Sequence, residues 1–350
     1  MSHVVEETTG KAPKTPLSGV GFDKSAPLLE VEDLEVEFHT REGIAHAVNK
    51  VSFSLGAGET LGILGESGCG KSVTAQAIMG ILDTPPAKVT GGQVRYRGVD
   101  LLQLDEKTRR HIRANKIAII FQDALSSLNP VFTVGWQLGE LHRKHSGASR
   151  KEAKAKAVEL LQLVGIPAAK ERVNDFPHQF SGGMRQRVMI AMALALEPDI
   201  IIADEPTTAL DVTVQAQVMT LLADLQRDMQ LGLILITHDM GVVADVADKI
   251  CVMYAGHAVE RADVYDIYER PAHPYTKALL ESIPRVDQKG QELTVIKGLP
   301  PALVNPPSGC SYHPRCAFAR DRCAVDEPPL YEVPGNRLSA CHYWEEVLQS

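Results

Sequence analysis

Eight consecutive residues, Gly65-Glu66-Ser67-Gly68-Cys69-Gly70-Lys71-Ser72, constrain this chain more than any other stretch. They match the P-loop pattern, and they sit between an apolar run at residues 61–64, which reads as a strand, and a segment that reads as a helix. Glycines let the backbone curl until successive N–H groups face one point, where the helix N-terminus adds positive potential. A cradle of that kind takes phosphate. Lys71 is then placed to reach the β- and γ-phosphates of ATP, and the Ser72 hydroxyl to ligate Mg²⁺. Cys69 reads as a small filler within the loop.

A second apolar run, Ile200-Ile201-Ile202-Ala203-Asp204-Glu205, ends in adjacent carboxylates. In a P-loop protein Asp204 holds the metal through its water shell, and Glu205 orients or deprotonates the attacking water. That run and Leu233-Ile234-Leu235-Ile236 have the uniform apolarity of buried parallel strands. Ahead of the P-loop, Leu34-Glu35-Val36-Glu37-Phe38 and Val51-Ser52-Phe53-Ser54-Leu55 alternate instead, as half-buried strands do, with Gly58-Glu59 marking a turn. Farther on, Ser149-Arg150-Lys151-Glu152 has capping-box spacing before an Ala/Leu/Val-rich stretch that stops at Gly165, so the middle of the chain is expected to be helical.

These elements belong to an α/β protein. The 350 residues, 44% of them apolar, suffice for one large domain and a smaller appendage. A formal net charge of -8 leans against nucleic acid as the main partner. The longest apolar candidate for a membrane span, residues 188–196, is stopped by Glu197-Pro198-Asp199. Residues 1–27 are rich in Lys, Thr, Ser, Gly and Pro without the apolar centre of a signal peptide, and read as a disordered tail on a chain that stays in the cytoplasm. Beyond about Ala255 proline and cysteine become frequent, which places a domain boundary between residues 28–255 and 256–350.

Between the P-loop and the paired carboxylates lies Phe180-Ser181-Gly182-Gly183-Met184-Arg185-Gln186-Arg187. This stretch resembles the signature sequence of ABC ATPases, in which a helix N-terminus meets the γ-phosphate bound by the opposite subunit. The resemblance implies an ABC nucleotide-binding domain: a β-rich subdomain, a RecA-like core and a helical subdomain over about 125–185. It also implies roles for smaller motifs. Gln122 in Phe121-Gln122-Asp123 resembles the Q-loop residue that touches Mg²⁺ and water, Asp211 in Ala209-Leu210-Asp211 the D-loop, and His238 in Ile236-Thr237-His238-Asp239 the switch histidine near the γ-phosphate. For the aromatic ring that stacks on adenine, Phe38 fits by its spacing to Lys71, with His46 as the alternative.

Other stretches resemble one branch of that family. They are Ser126-Ser127-Leu128-Asn129-Pro130 after the Q-loop, Thr207-Thr208-Ala209-Leu210-Asp211-Val212-Thr213-Val214-Gln215-Ala216-Gln217, and His273-Pro274-Tyr275-Thr276. The branch comprises ATPase subunits of oligopeptide/dipeptide permeases and includes nickel importers. Membership implies a peripheral protein on the cytoplasmic face of the bacterial cell membrane. Its partners would be a related second ATPase, two transmembrane permeases and an extracytoplasmic substrate-binding protein, with peptides as cargo. Nickel or another small solute is the alternative cargo. A soluble ABC ATPase acting on nucleic acid or ribosomes is a reading of another class.

Four of the six cysteines, Cys310, Cys316, Cys323 and Cys341, crowd a Pro-rich C-terminal segment with little means of building a core. In a reducing compartment such crowding points to metal before disulfide. Their spacing matches neither zinc ribbons nor the compact ferredoxin run, which leaves a 4Fe–4S cluster, Zn²⁺ and free thiols all open. Some members of the peptide-permease branch carry a 4Fe–4S cluster on C-terminal cysteines, and the resemblance implies that group here, in an organising and not an electron-transferring role. His313 and His342 flank the cysteines and are expected at the surface.

Overall fold

The computed structural model describes residues 20–122, 127–208, 210–283 and 296–350. Residues 1–19 of the expected tail, Asp123, residues 125–126 at the start of the expected helical subdomain, and Ala209 lie outside the described residues. Residues 20–27, expected to share the tail's disorder, pack against the body. The Phe22 ring meets Tyr96 edge-on at 5.3 Å, and the Asp23 N–H donates to the Arg97 carbonyl at 2.9 Å.

The alternating segments form a small antiparallel sheet from β1 (Leu29–Thr40), β2 (Gly43–Leu55), β4 (Ala87–Tyr96) and β5 (Val99–Asp100), in the order β2-β1-β4-β5. The apolar runs form the centre of a larger sheet. There β3 (Thr60–Leu64), β6 (Ile117–Ile120), β7 (Ile200–Asp204), β8 (Gly232–Thr237) and β9 (Lys249–Tyr254) lie parallel in the order β9-β3-β8-β7-β6. Every residue of β3, β7 and β8 is buried.

Uniform apolarity is what a strand covered on both faces requires, and the two-residue period divides its side chains between two cores. Ile201, Ala203, Leu233, Leu235, Ile250 and Val252 enter one core with the helical segments. Their neighbours Ile200, Ile202, Ile234, Ile236, Cys251 and Met253 enter the other with β1, β2 and α1 (Lys71–Met79). Each Val, Leu, Ile or Met side chain among them contributes on the order of 1.5–3 kcal/mol by leaving water. The parallel strands thus clamp the P-loop between two packed layers.

After α2 (Glu106–Asn115), the middle of the chain is helical as expected: α3 (Val134–Ser146), α4 (Arg150–Leu163) and α5 (Gly182–Leu194), followed beyond β7 by α6 (Val212–Met229). The Ser149/Glu152 capping box is formed at the start of α4, and Gly165, at φ 71°, turns the chain away after its end.

The expected boundary near residue 255 falls inside a hairpin. Ala255 and Gly256, both at positive φ, turn β9 into β10 (His257–Asp263), which pairs antiparallel with it. After α7 (Pro274–Glu281), β11 (Tyr331–Val333) and β12 (Arg337–Ser339) extend the same sheet to β11-β12-β10-β9. The C-terminal segment is therefore joined to the central sheet by strand pairing. Its proline-rich texture reflects the loops between these short strands.

Candidate functional site: a nucleotide cradle and its water-activating carboxylate

The P-loop leaves the end of β3 and enters α1 at Lys71. Two of its glycines are obligatory on steric grounds. Gly65 sits at φ 151° and a Cβ there would lie 2.2 Å from the Met253 carbonyl oxygen, while Gly70 sits at φ 106° with the Ala47 carbonyl oxygen 2.3 Å from any Cβ. At these two glycines the loop is pressed onto the backbones of β9 and β2, where no side chain would fit. The Lys71 ammonium is folded back over the loop, donating to the carbonyls of Gly65 at 2.7 Å and Glu66 at 3.0 Å. Cys69 is buried beneath it, and burial pushes its thiol pKa up.

At the end of β7, the Ser72 hydroxyl donates to the Asp204 carboxylate at 3.0 Å. Burial holds the Asp204 pKa above the ordinary value, and the neighbouring Glu205 charge adds to this against the Ser72 hydrogen bond. Two hard oxygen donors from different elements therefore face each other beside the phosphate cradle. This set fits Mg²⁺, which takes one or two protein oxygens and completes its octahedron with water and phosphate. A divalent cation here would also offset the burial penalty on Asp204.

Glu205 is the most engaged side chain of the site. Its Oε2 accepts from Gln122 Nε2 at 2.8 Å and from Thr208 Oγ1 at 2.9 Å, and its Oε1 lies 3.2 Å from His238 Nδ1. Its backbone is at φ 45°, with the N–H donating to the Ile236 carbonyl at 2.8 Å. A left-handed conformation costs a non-glycine residue about 1–2 kcal/mol, and that aim of the carboxylate is held by Thr208 in the same turn and by Gln122 and His238 from two other segments. Sequence reasoning named Gln122, Asp204, Glu205 and His238, and the fold brings them together. It missed Thr208, whose only local signal is its place three residues after Glu205.

The comparisons with known proteins agree with this geometry. A family model described as "ABC transporter" matches residues 48–208, and one described as "Oligopeptide/dipeptide transporter, C-terminal region" matches residues 259–323. The chain is 52% identical over 307 residues to the oligopeptide transport ATP-binding protein OppD of Bacillus subtilis (strain 168), covering 87% of this chain and 86% of that one. It belongs to the ATP-binding subunits of oligopeptide/dipeptide ABC transporters. The dipeptide transport ATP-binding protein DppD of Escherichia coli (strain K12) is 46% identical over 316 residues, 90% of this chain and 96% of that one. Among solved structures, the dimeric post-hydrolysis state of the ATP-binding cassette MJ0796 bound to ADP and Pi matches with a TM-score of 0.60 and 29% identity, over 67% of this chain and 98% of that one.

As an ABC ATPase, the chain carries its signature on a separate element. Ser181 is the N-cap of α5, its hydroxyl accepting from the Met184 N–H at 3.4 Å. Gly182 and Gly183 open the helix, and a Cβ on Gly183 would come within 2.4 Å of Val214. Asp211 caps α6 and accepts from the Val214 N–H at 3.0 Å, so signature and D-loop pack against each other. The described hydrogen bonds of Ser181 and Asp211 reach none of the P-loop residues. Gln186 is buried in α5, its Nε2 without a partner among the described residues. Phe38 is half-buried and packs against the core beneath the small sheet, while His46 is half exposed beside Glu37 at 3.4 Å. Among the described residues no helix is long and apolar enough to cross a membrane.

Cys310, Cys316, Cys323 and Cys341 all line one narrow cavity, together with His313 and His342. The two histidines, expected at the surface, are half-buried there, and both ring nitrogens of His342 are engaged, by Tyr331 Oη and the Asp326 carbonyl, each at 3.0 Å. Burial pushes the thiol pKa of Cys316 to about 11 and of Cys341 to about 12. Among the described residues no group of three or more His, Cys, Asp or Glu is placed to hold a metal ion. The cavity leaves about 10 Å³, room for roughly one water.

Sequence reasoning also missed two C-terminal contacts on the P-loop itself. Tyr275 Oη accepts from the Glu66 N–H at 2.8 Å, and Arg315 forms a two-pronged ion pair with the Glu66 carboxylate. His273-Pro274-Tyr275-Thr276 stood out in the sequence without a role, and nothing near Arg315 pointed to residue 66.

Proposed function

We propose that this subunit powers the uptake of di- and oligopeptides, acting on the cytoplasmic face of a bacterial membrane. The observation that carries the reading is the convergence of Gln122, Thr208 and His238 on Glu205, beside the Ser72–Asp204 bond, in a chain whose C-terminal segment is matched by the oligopeptide/dipeptide transporter model over residues 259–323.

Lys71 leaves its carbonyl partners for the β- and γ-phosphates, and Ser72 and Asp204 hold Mg²⁺. Glu205, aimed by Gln122, Thr208 and His238, takes the proton of the attacking water. The placement of Ser181, Gly182 and Gly183 away from the P-loop supports a site completed by a second cassette, whose α5 N-terminus caps the γ-phosphate. A related, distinct ATPase is the expected partner. ATP closes the pair and hydrolysis reopens it, which drives two permeases fed by a substrate-binding protein. Phe38 is the proposed adenine platform.

The permeases are proposed to dock beside Gln122. Phe121, Val131, Phe132 and Trp136 are exposed there, and a cavity of about 400 Å³ opens between α3 and α4, lined by Trp136, Arg143 and Lys154. Uptake of labelled di- to pentapeptides and of nickel, in cells whose only copy carries Glu205→Gln, tests the cargo. Peptide uptake is expected to fall to background with nickel uptake unchanged; loss of nickel uptake alone would move the chain to metal import.

For the cysteines, the group proposed is a 4Fe–4S cluster held by Cys310, Cys316, Cys323 and Cys341, with Zn²⁺ as the alternative. Four thiols around one cavity supply the donor set, and iron would relieve the burial penalty on the thiolates. The cysteine loops must part to admit the cluster. The cluster would brace a segment poor in core residues. Protein purified without oxygen is expected to be brown with roughly four irons per chain, whereas colourless protein with stoichiometric zinc would replace the cluster by Zn²⁺.

A further inference from the structure

Glu66 places a carboxylate in the first turn of a loop whose ligand is itself polyanionic. Left alone, that charge would oppose every phosphate entering the cradle. Arg315 removes the conflict. Its Nη1 and Nη2 donate to the two carboxylate oxygens at 2.6 and 2.9 Å, from a side chain only 5% exposed. The guanidinium is itself held from three sides. Its Nε donates to the Lys297 carbonyl at 3.0 Å, its Nη1 also donates to Tyr254 Oη at 3.2 Å, and it stacks near the rings of Tyr254 and Tyr312 at 5.7 and 6.0 Å. Planar two-pronged pairing of this kind orients the carboxylate as well as neutralising it.

Glu66 is gripped along its backbone too. Its N–H donates to Tyr275 Oη at 2.8 Å and its carbonyl accepts from the Lys71 ammonium at 3.0 Å. Tyr254, Tyr275 and Tyr312 pack on one another with ring centroids 4.6–5.2 Å apart, so the groups that hold Glu66 form one rigid cluster. Two of its members, Tyr312 and Arg315, lie between Cys310 and Cys316 on the turn that lines the cysteine cavity. The C-terminal segment therefore contacts the first turn of the P-loop directly, through Tyr275 and Arg315.

We propose that Arg315 is a positioning residue of the nucleotide site, which cancels the Glu66 charge and holds the first turn of the P-loop open to phosphate. The consequence is a charge-specific dependence of ATP affinity on a residue far outside the ATPase motifs. It rests on the P-loop binding nucleotide, which the wild-type titration reports separately.

The test titrates fluorescent ATP into purified full-length protein, wild type, Arg315→Gln, and the double variant Arg315→Gln/Glu66→Gln, with a thermal melt of each. Arg315→Gln is expected to weaken ATP binding at least roughly tenfold through the unpaired carboxylate. The double variant, which has no charge left unpaired, is expected to recover affinity to within about threefold of wild type. Should Arg315→Gln not fold, recovery of both folding and ATP affinity in the double variant supports the proposal. Wild-type affinity in Arg315→Gln overturns it. So does a folded double variant that binds ATP as weakly as the single one, because packing and not charge would then be the function of Arg315.

Discussion

Glu205→Gln is expected to lower the steady-state rate of ATP hydrolysis by roughly 10²–10³-fold while leaving ATP binding near its wild-type strength. The substitution keeps the shape of the side chain and one acceptor oxygen. That oxygen still serves Gln122 Nε2 and Thr208 Oγ1, the two donors that now converge on Oε2. The amide nitrogen takes the place of Oε1 opposite His238 Nδ1, where a neutral imidazole accepts from it. Packing is satisfied, and what disappears is the negative charge able to take a proton from water. On the proposed cycle, in which hydrolysis reopens a closed pair of cassettes, the variant should accumulate as an ATP-bound dimer. Phosphate release under saturating ATP and size-exclusion chromatography with ATP check both halves of the expectation. Turnover close to wild type would move the role of base to another group.

Lys71→Ala is expected to act on binding instead. The ammonium is the cation of the loop, and without a ligand it rests on the carbonyls of Gly65 and Glu66. When nucleotide enters, these neutral acceptors are exchanged for phosphate oxygens, an exchange that charge-assisted hydrogen bonds favour strongly. Its removal should weaken ATP affinity by roughly 100-fold or more. Folding should survive, since the loss is confined to two hydrogen bonds, the one to Gly65 buried and the one to Glu66 part-buried. A thermal shift assay separates the two effects. A ligand at 100 times its Kd stabilises a fold by about 2.7 kcal/mol, and that ATP-dependent gain should vanish in the variant with the ligand-free melting temperature little changed. An undiminished ATP shift would mean that Lys71 does not hold the phosphates.

The two variants divide the site along its structural seam. Lys71 opens α1 after β3 and Glu205 follows β7; β8 lies between those two strands with all its residues buried, and the bond from Ser72 to Asp204 joins the two strand ends. Side chains from opposite faces of these strands enter two separate cores, so neither layer can shift without moving the strand ends. Among the described residues, Tyr275 and Arg315 touch the P-loop from outside these two layers.

Much of this was legible in the chain itself, because the relevant signals are local. A P-loop is eight adjacent residues, and its glycines declare a backbone curl that the φ angles of Gly65 and Gly70 realise. Apolar runs state that a strand is covered on both faces, and the Ser149/Glu152 pair states where a helix begins, since each depends on neighbours a few residues away. What periodicity does not carry is the pairing of distant segments. The Pro- and Cys-rich texture after residue 255 resembled a separate unit, yet β10 and β12 join the core sheet because a strand edge is satisfied by backbone hydrogen bonds to which composition is blind. Likewise, the convergence of four thiols on one cavity and the bond between Arg315 and Glu66, separated by 249 positions, exist only once the sheet has brought both ends of the chain to the same place. The sequence by itself determined which residues could bind phosphate, hold magnesium and activate water. Only the tertiary structure decided which of them are braced, by what, and from which side, because charge compensation and rigidity arise from contacts that close packing creates and no local pattern encodes.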